Sequence, residues 1–204
     1  MHRRLLVLIS AAALLTATAT AAVASPWERE DISEQGGAGV VAVEGAKIFR
    51  TANGVSASVS MPTPEPGSYV YPQGATASGV PGHPEAFTLW VFIFFNPEEC
   101  DGDCDGADLR STNENVIAGG FNAGGHLAGG PNLTITGHVN HQSRVFGGDN
   151  AESLAVALNL GFDLADAEIH LAVAPHGALD PDLLPEQTST PVGDPNFWWL
   201  AIFK

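Results

Sequence analysis

Asp101, Asp103, Asp105 and Asp108, with Gly106 among them, read D-x-D-x-D-G-x-D. Calcium takes about six to eight oxygen ligands, and alternate carboxylates in a tight glycine-containing turn supply several of them. In a helix-flanked calcium loop Asp101, Asp103 and Asp105 would be ligands and Gly106 the turn. Thr112 stands where the bidentate glutamate of such a loop belongs, and the neighbouring sequence carries no helical pattern on either side. The segment is therefore either a calcium site or a solvated acidic turn. Cys100 and Cys104, the two cysteines of the chain, bracket its first half. A disulfide is the default for cysteines outside the cytoplasm. It requires Asp101-Gly102-Asp103 to turn sharply enough to bring the Cα atoms to about 4.4–6.8 Å.

Histidines are the second group with ligand chemistry. His126, His138, His141, His170 and His176 fall in β-type sequence, and neutral imidazole binds zinc or copper. His138 and His141 are three apart, so on one strand they point to opposite faces. His170 and His176 share a face, but six strand residues separate them by roughly 20 Å. They meet only if the chain turns at Pro175. A set of His126, His138, His170 and His176 thus depends on strand order. An enzyme site built from His126, His170, His176 and Glu186 depends on it equally. The chain has no Gly-x-Ser-x-Gly elbow, phosphate-binding loop or His-Glu-x-x-His helix.

The elements that must position these residues are mostly strands. Val55, Ala57, Val59 and Met61 alternate with Ser56, Ser58 and Ser60, the period of a strand with one apolar face. In 132–140, Leu133, Ile135 and Val139 face in, while Thr134, Thr136 and His138 face out. The aromatic and β-branched run Phe87–Phe95 is a central strand buried on both faces. Residues 116–128 form a glycine-rich strand, whose glycines admit a close neighbour or mark a bulge. Residues 167–174 and 197–203 are further strands, with one of Trp198 and Trp199 in the core. Residues 40–51 hold one or two short strands. Residues 25–37 read as a frayed leader, 62–82 as a proline-rich connection, and 151–162 as either a short helix or a strand. Glu186 and Gln187 fall in a proline-rich loop. Short strands with Gly/Pro turns and no βαβ rhythm give an all-β, single-domain antiparallel β-sandwich or jelly-roll-like barrel with at most one short helix.

The N-terminus has the form of a secretory signal. Arg3 and Arg4 precede an apolar run from Leu5 to Val23, and Ala22-Val23-Ala24 offers a small-x-small cleavage site. The expected organisation is a signal peptide at 1–24, a leader with the first strand or strands at 25–50, and a β domain at 51–204. No cysteine stands at the cleavage point for lipid attachment, and no membrane anchor is expected. The chain carries a formal charge of −15, which deepens when Arg3 and Arg4 leave. Such a field repels nucleic acid and anionic membranes.

Several of these segments resemble a group of secreted bacterial proteins. They are Phe87-Thr88-Leu89-Trp90 running to Asn96-Pro97-Glu98-Glu99-Cys100, Gly124-Gly125-His126-Leu127-Ala128-Gly129-Gly130, Ala167-Glu168-Ile169-His170-Leu171, and Pro175-His176-Gly177 continuing to Glu186-Gln187. The resemblance spans about residues 51 to 203. It implies a secreted, extracellular bacterial β domain without supplying a mechanism. Many of those proteins carry extra cysteines after the Glu-Gln pair, and this chain has none there. The Ile-His context also resembles CHRD-type β domains. The expected function is non-enzymatic binding of an extracellular partner or a structural role. The alternatives are a calcium, zinc or copper protein and, behind it, an enzyme using the histidines.

Overall fold

The computed structural model describes residues 26–36, 39–51, 53–65, 68–69, 84–110, 115–146, 164–189 and 198–204. Residues 1–24, expected to be a signal peptide, and the ambiguous stretch 151–162 lie outside the described residues. The described strands are β1 (Glu28–Glu34), β2 (Val40–Thr51), β3 (Gly54–Pro62), β4 (Glu85–Phe94), β5 (Ala118–Ala128), β6 (Asn132–Asn140), β7 (Val145–Phe146), β8 (Glu168–Ala178) and β9 (Trp199–Phe203). One short helix, α1 (Leu184–Ser189), accompanies them.

These strands form one nine-stranded sheet in the order β6-β3-β2-β1-β9-β8-β4-β5-β7. Every pairing is antiparallel. The fold is all-β, and the sheet curls into a half-barrel instead of splitting into a sandwich. The curl carries β5 across the inner side of β6. There Gly137 has no room for a side chain, since a Cβ would lie 2.1 Å from the Ala123 carbonyl oxygen. Glycine is what lets the two backbones approach.

The core is lined as the alternations require. Val55, Ala57, Val59 and Met61 of β3, Leu133, Ile135 and Val139 of β6, and Ile169, Leu171 and Val173 of β8 are buried together. Phe87, Leu89, Val91 and Ile93 of β4 join them. On the other side of β4, Trp90 packs with Ala172, Ala174, Phe92, Phe146, Trp198 and Leu200. Phe94 packs there with Cys104, Val116 and Ala118. Covered on both faces, β4 is the central strand expected. Trp199 enters the core and Trp198 lies on the outer side against Phe92.

Three expectations are corrected. The charged segment read as a frayed leader contains β1, which lies between β2 and β9. Only Ile32 of its seven residues is buried, so its membership comes from backbone pairing and not from an apolar pattern. Residues 40–51 form a single twelve-residue strand. Its irregularity is a bulge at Val43-Glu44-Gly45, where Glu44 adopts φ +47° and its N–H donates to Asp31 Oδ1 at 2.7 Å. Glu186 and Gln187 lie in α1, not in a loop.

One end of the curled sheet is tied by Arg50. Its Nε and Nη2 donate to the two carboxylate oxygens of Glu28 at 2.8 and 2.7 Å, and Nη1 donates to the Ala167 carbonyl. The guanidinium thus links β1, β2 and the turn before β8. Among the described residues no helix is long and apolar enough to cross a membrane.

Candidate functional site

The acidic loop is built from the inside. Cys100 and Cys104 are disulfide-bonded with their Cα atoms 5.3 Å apart, and Gly102 makes the turn between them with φ +93°. Asp108 is buried. Its carboxylate accepts the N–H groups of Asp105 at 2.9 Å and Asp101 at 3.4 Å. Asp105 accepts the N–H of Ala107 at 2.6 Å. Asp103 reaches away and accepts from Lys204 Nζ at 2.8 Å. The ammonium holds the Asp103 carboxyl below its usual range, and the carboxylate raises Lys204 in return. Asp108, Asp105 and Asp103 thus serve the loop backbone and the C-terminal residue, while Asp101 is exposed. Among the described residues no three His, Cys, Asp or Glu side chains converge as a metal site.

The histidines are distributed rather than clustered. β8 continues through Pro175, with a bulge at His176-Gly177, so His170 and His176 stay roughly 20 Å apart along one strand. His170 is buried, its Nε2 2.7 Å from Glu168 Oε1 and its ring 4.9 Å from that of Phe94. Burial lowers its pKa, opposed by the hydrogen bond and charge of Glu168. The imidazole is therefore neutral around pH 7 and donates Nε2–H to the carboxylate. His176, at the other end of β8, is buried with Nε2 2.8 Å from Thr88 Oγ1, which also accepts Trp90 Nε1–H at 2.9 Å. His126 stands opposite Phe87, one residue from Thr88. It therefore projects from the other face of the sheet than His176. His138 is exposed on β6, its Nδ1 3.1 Å from Ser56 Oγ.

α1 holds its place through Gln187, not Glu186. Gln187 is buried, its amide nitrogen donates to the carbonyls of His176 and Ala178, both at 3.1 Å, and its oxygen accepts the Asp180 N–H at 2.9 Å. Glu186 is exposed on the same turn. Gln187 thus fastens the helix to the end of β8, a role that no spacing in the sequence announces.

The outward faces of β1, β2, β3 and β6 carry a different arrangement. The register sets Arg29, Lys47, Ser58 and Thr136 side by side in one row across four strands. The next row is Phe49, Ser56 and His138, extended by Trp27, whose ring lies 5.9 Å from that of Phe49. A third row pairs Ser60 with Thr134, their hydroxyl oxygens 3.1 Å apart. Neighbouring side chains are spaced about 4.8 Å across strands and about 7 Å along them. Arg29, Phe49, Ser60, Thr134, Thr136 and His138 are exposed. Lys47 Nζ lies 5.4 Å from the centre of the Trp27 ring, a cation–π contact. The sequence showed the serine and threonine alternation of β3 and β6. It did not show that β2 and β1 add two cations and two rings in register.

A concavity of about 340 Å³ opens at one end of the sheet, lined by Glu34, Val41, Met61, Pro62, Thr63, Pro64, Ser68 and Trp199. Glu34 is its one ionisable side chain among the described residues. It therefore lacks the paired groups that acid–base chemistry uses. No family model matches the chain, and neither a curated protein nor a solved structure matches it.

Proposed function

We propose that this chain is an exported, acidic β domain that acts by binding an extracellular partner, and that the partner sits on the outer face of β1, β2, β3 and β6. The observation that carries this reading is the register of that face. It presents two aromatic rings, two cations and four hydroxyls, with the buried Ser58 lying between them, in register across the outer side of the curled sheet. The buried polar side chains elsewhere serve internal contacts: Asp108 in its loop, His170 with Glu168, His176 with Thr88, and Gln187 with β8. Export is supported by the N-terminal pattern, by the disulfide and by the resemblance to secreted bacterial proteins.

The test is a binding screen of the mature, oxidised protein against arrayed extracellular polysaccharides and peptides. Thr136→Tyr places a bulky side chain at an exposed strand position without disturbing β propensity. Ligands bound by the parent protein are expected to be lost in Thr136→Tyr and kept in Asp105→Asn, which alters the acidic loop instead. Ligands that survive Thr136→Tyr and disappear in Asp105→Asn would move the site to the loop.

A further inference from the structure

The chemistry of that face narrows the partner. The chain has eight basic residues, and Arg3 and Arg4 lie in the signal segment. Of the rest, Arg50 is bound to Glu28, Lys204 to Asp103, Arg144 lies 4.4 Å over the Phe146 ring, and Arg110 stands alone at the end of the acidic loop. Arg29 and Lys47 are instead placed directly opposite each other on adjacent strands. Like charges in that position repel. Neither makes a salt bridge among the described residues. Asp31, which shares the Arg29 face of β1, accepts the Glu44 N–H at the bulge. On a chain whose net charge is strongly negative, this pair of cations without a carboxylate partner among the described residues, Lys47 resting against the Trp27 ring, lies beside two aromatic rings and several hydroxyls.

We propose that the ligand is an anionic polysaccharide, a chain of sugar rings bearing carboxylate or sulfate groups, lying across the strands of this face. The proposal rests on the face being the interaction surface. Arg29 and Lys47 receive the anionic groups, with Arg29 offering the planar fork that matches a carboxylate or sulfate. Trp27 and Phe49 offer apolar faces to the ring C–H groups. Ser56, Thr136 and His138 supply donors and acceptors to the sugar hydroxyls. The step from strand to strand, about 4.8 Å, lets successive rings meet successive strands along a row. A nucleic acid or an anionic membrane fits less well. The field of a −15 chain opposes every polyanion, and opposes most a polymer or surface as densely charged as these; a polysaccharide with about one charge per ring meets the least repulsion, and the two cations act on it locally. An extended peptide would add to a sheet edge, whereas this surface is the flat of the sheet.

The experiment titrates the mature, oxidised protein with polygalacturonate, dextran sulfate and neutral dextran, in low salt and in about 1 M salt, where the Debye length falls to about 3 Å. The parent, Arg29→Gln/Lys47→Gln and Thr136→Tyr proteins are compared, each checked by thermal melting. Binding to at least one anionic polymer and not to dextran is expected. It should weaken about tenfold in the double variant and be lost in Thr136→Tyr and in high salt. The polymer that binds distinguishes carboxylate from sulfate. Equal binding of dextran, abolished by Thr136→Tyr, would overturn the anionic ligand and leave the face standing. Anionic binding unchanged in Thr136→Tyr would overturn the face itself. Absence of binding to both anionic polymers would overturn the proposal.

Discussion

Two side chains show how individual residues hold this fold. Arg50 places three charge-assisted hydrogen bonds at one end of the sheet while itself almost fully buried. Arg50→Met removes them, leaves the Ala167 carbonyl without that donor, and should lower stability by about 2 kcal/mol. Urea denaturation at constant slope would show it, and an unchanged midpoint would contradict it. His170 gives a pH dependence whose sign follows from burial. Its folded pKa lies below the ordinary 6.5. Over the interval below 6.5 the unfolded chain therefore binds a proton that the folded chain refuses. Stability contributed by neutral His170 is complete above that value and falls as the pH drops toward the folded pKa. His170→Gln, which keeps a donor for Glu168, should flatten the loss of melting temperature between about pH 6.5 and 5. An identical slope in the variant would contradict the assignment.

At the scale of elements, what could be read in advance followed side-chain alternation. Ser56, Ser58 and Ser60 against Val55, Ala57 and Val59 gave β3 with its correct faces, and 132–140 gave β6 with its bounds. The Phe87–Phe95 run gave the doubly buried β4. β1 escaped because Glu28–Glu34 has one buried apolar side chain and is held by hydrogen bonds to β2 and β9, which leave no mark on composition. α1 escaped because six residues beginning Leu184-Pro185 carry too little periodicity, and its anchor is the buried Gln187 amide. The glycines of 116–128 were legible as sites of close approach, though not what approaches them: Gly125 meets Thr188 of α1. Gly137, which the sequence did not single out, meets Ala123 of β5. Gly137→Ala should therefore destabilise by about 3 kcal/mol, the upper end of the usual cost of overpacking. Gly129→Ala, where nothing lies within 4 Å of a Cβ, should change stability little. Calorimetry of the two variants side by side would show whether the β5–β6 crossing is as tight as it looks.

At the scale of the whole molecule, the distribution of charge matters more than its total. The formal charge of −15 sets solubility and long-range repulsion. Several of the few cations have definite places: Arg50 inside, Lys204 against the disulfide loop, and Arg29 with Lys47 on the outer face of the sheet. The candidate site was only half legible for the same reason the sheet was. The hydroxyl rows lie on strands visible as alternations, whereas the cations and rings join them through a register that only folding reveals. The aspartates and histidines carried the stronger sequence signal. Folding commits Asp108, His170 and His176 to their own loop or strand. The most direct measurement is amide chemical-shift mapping of the mature, oxidised protein during titration with polygalacturonate. The account predicts shifts gathered on β1, β2, β3 and β6, around Arg29, Lys47, Ser58 and Thr136. Shifts gathered instead on residues 100–108 or along β8 and α1 would contradict it.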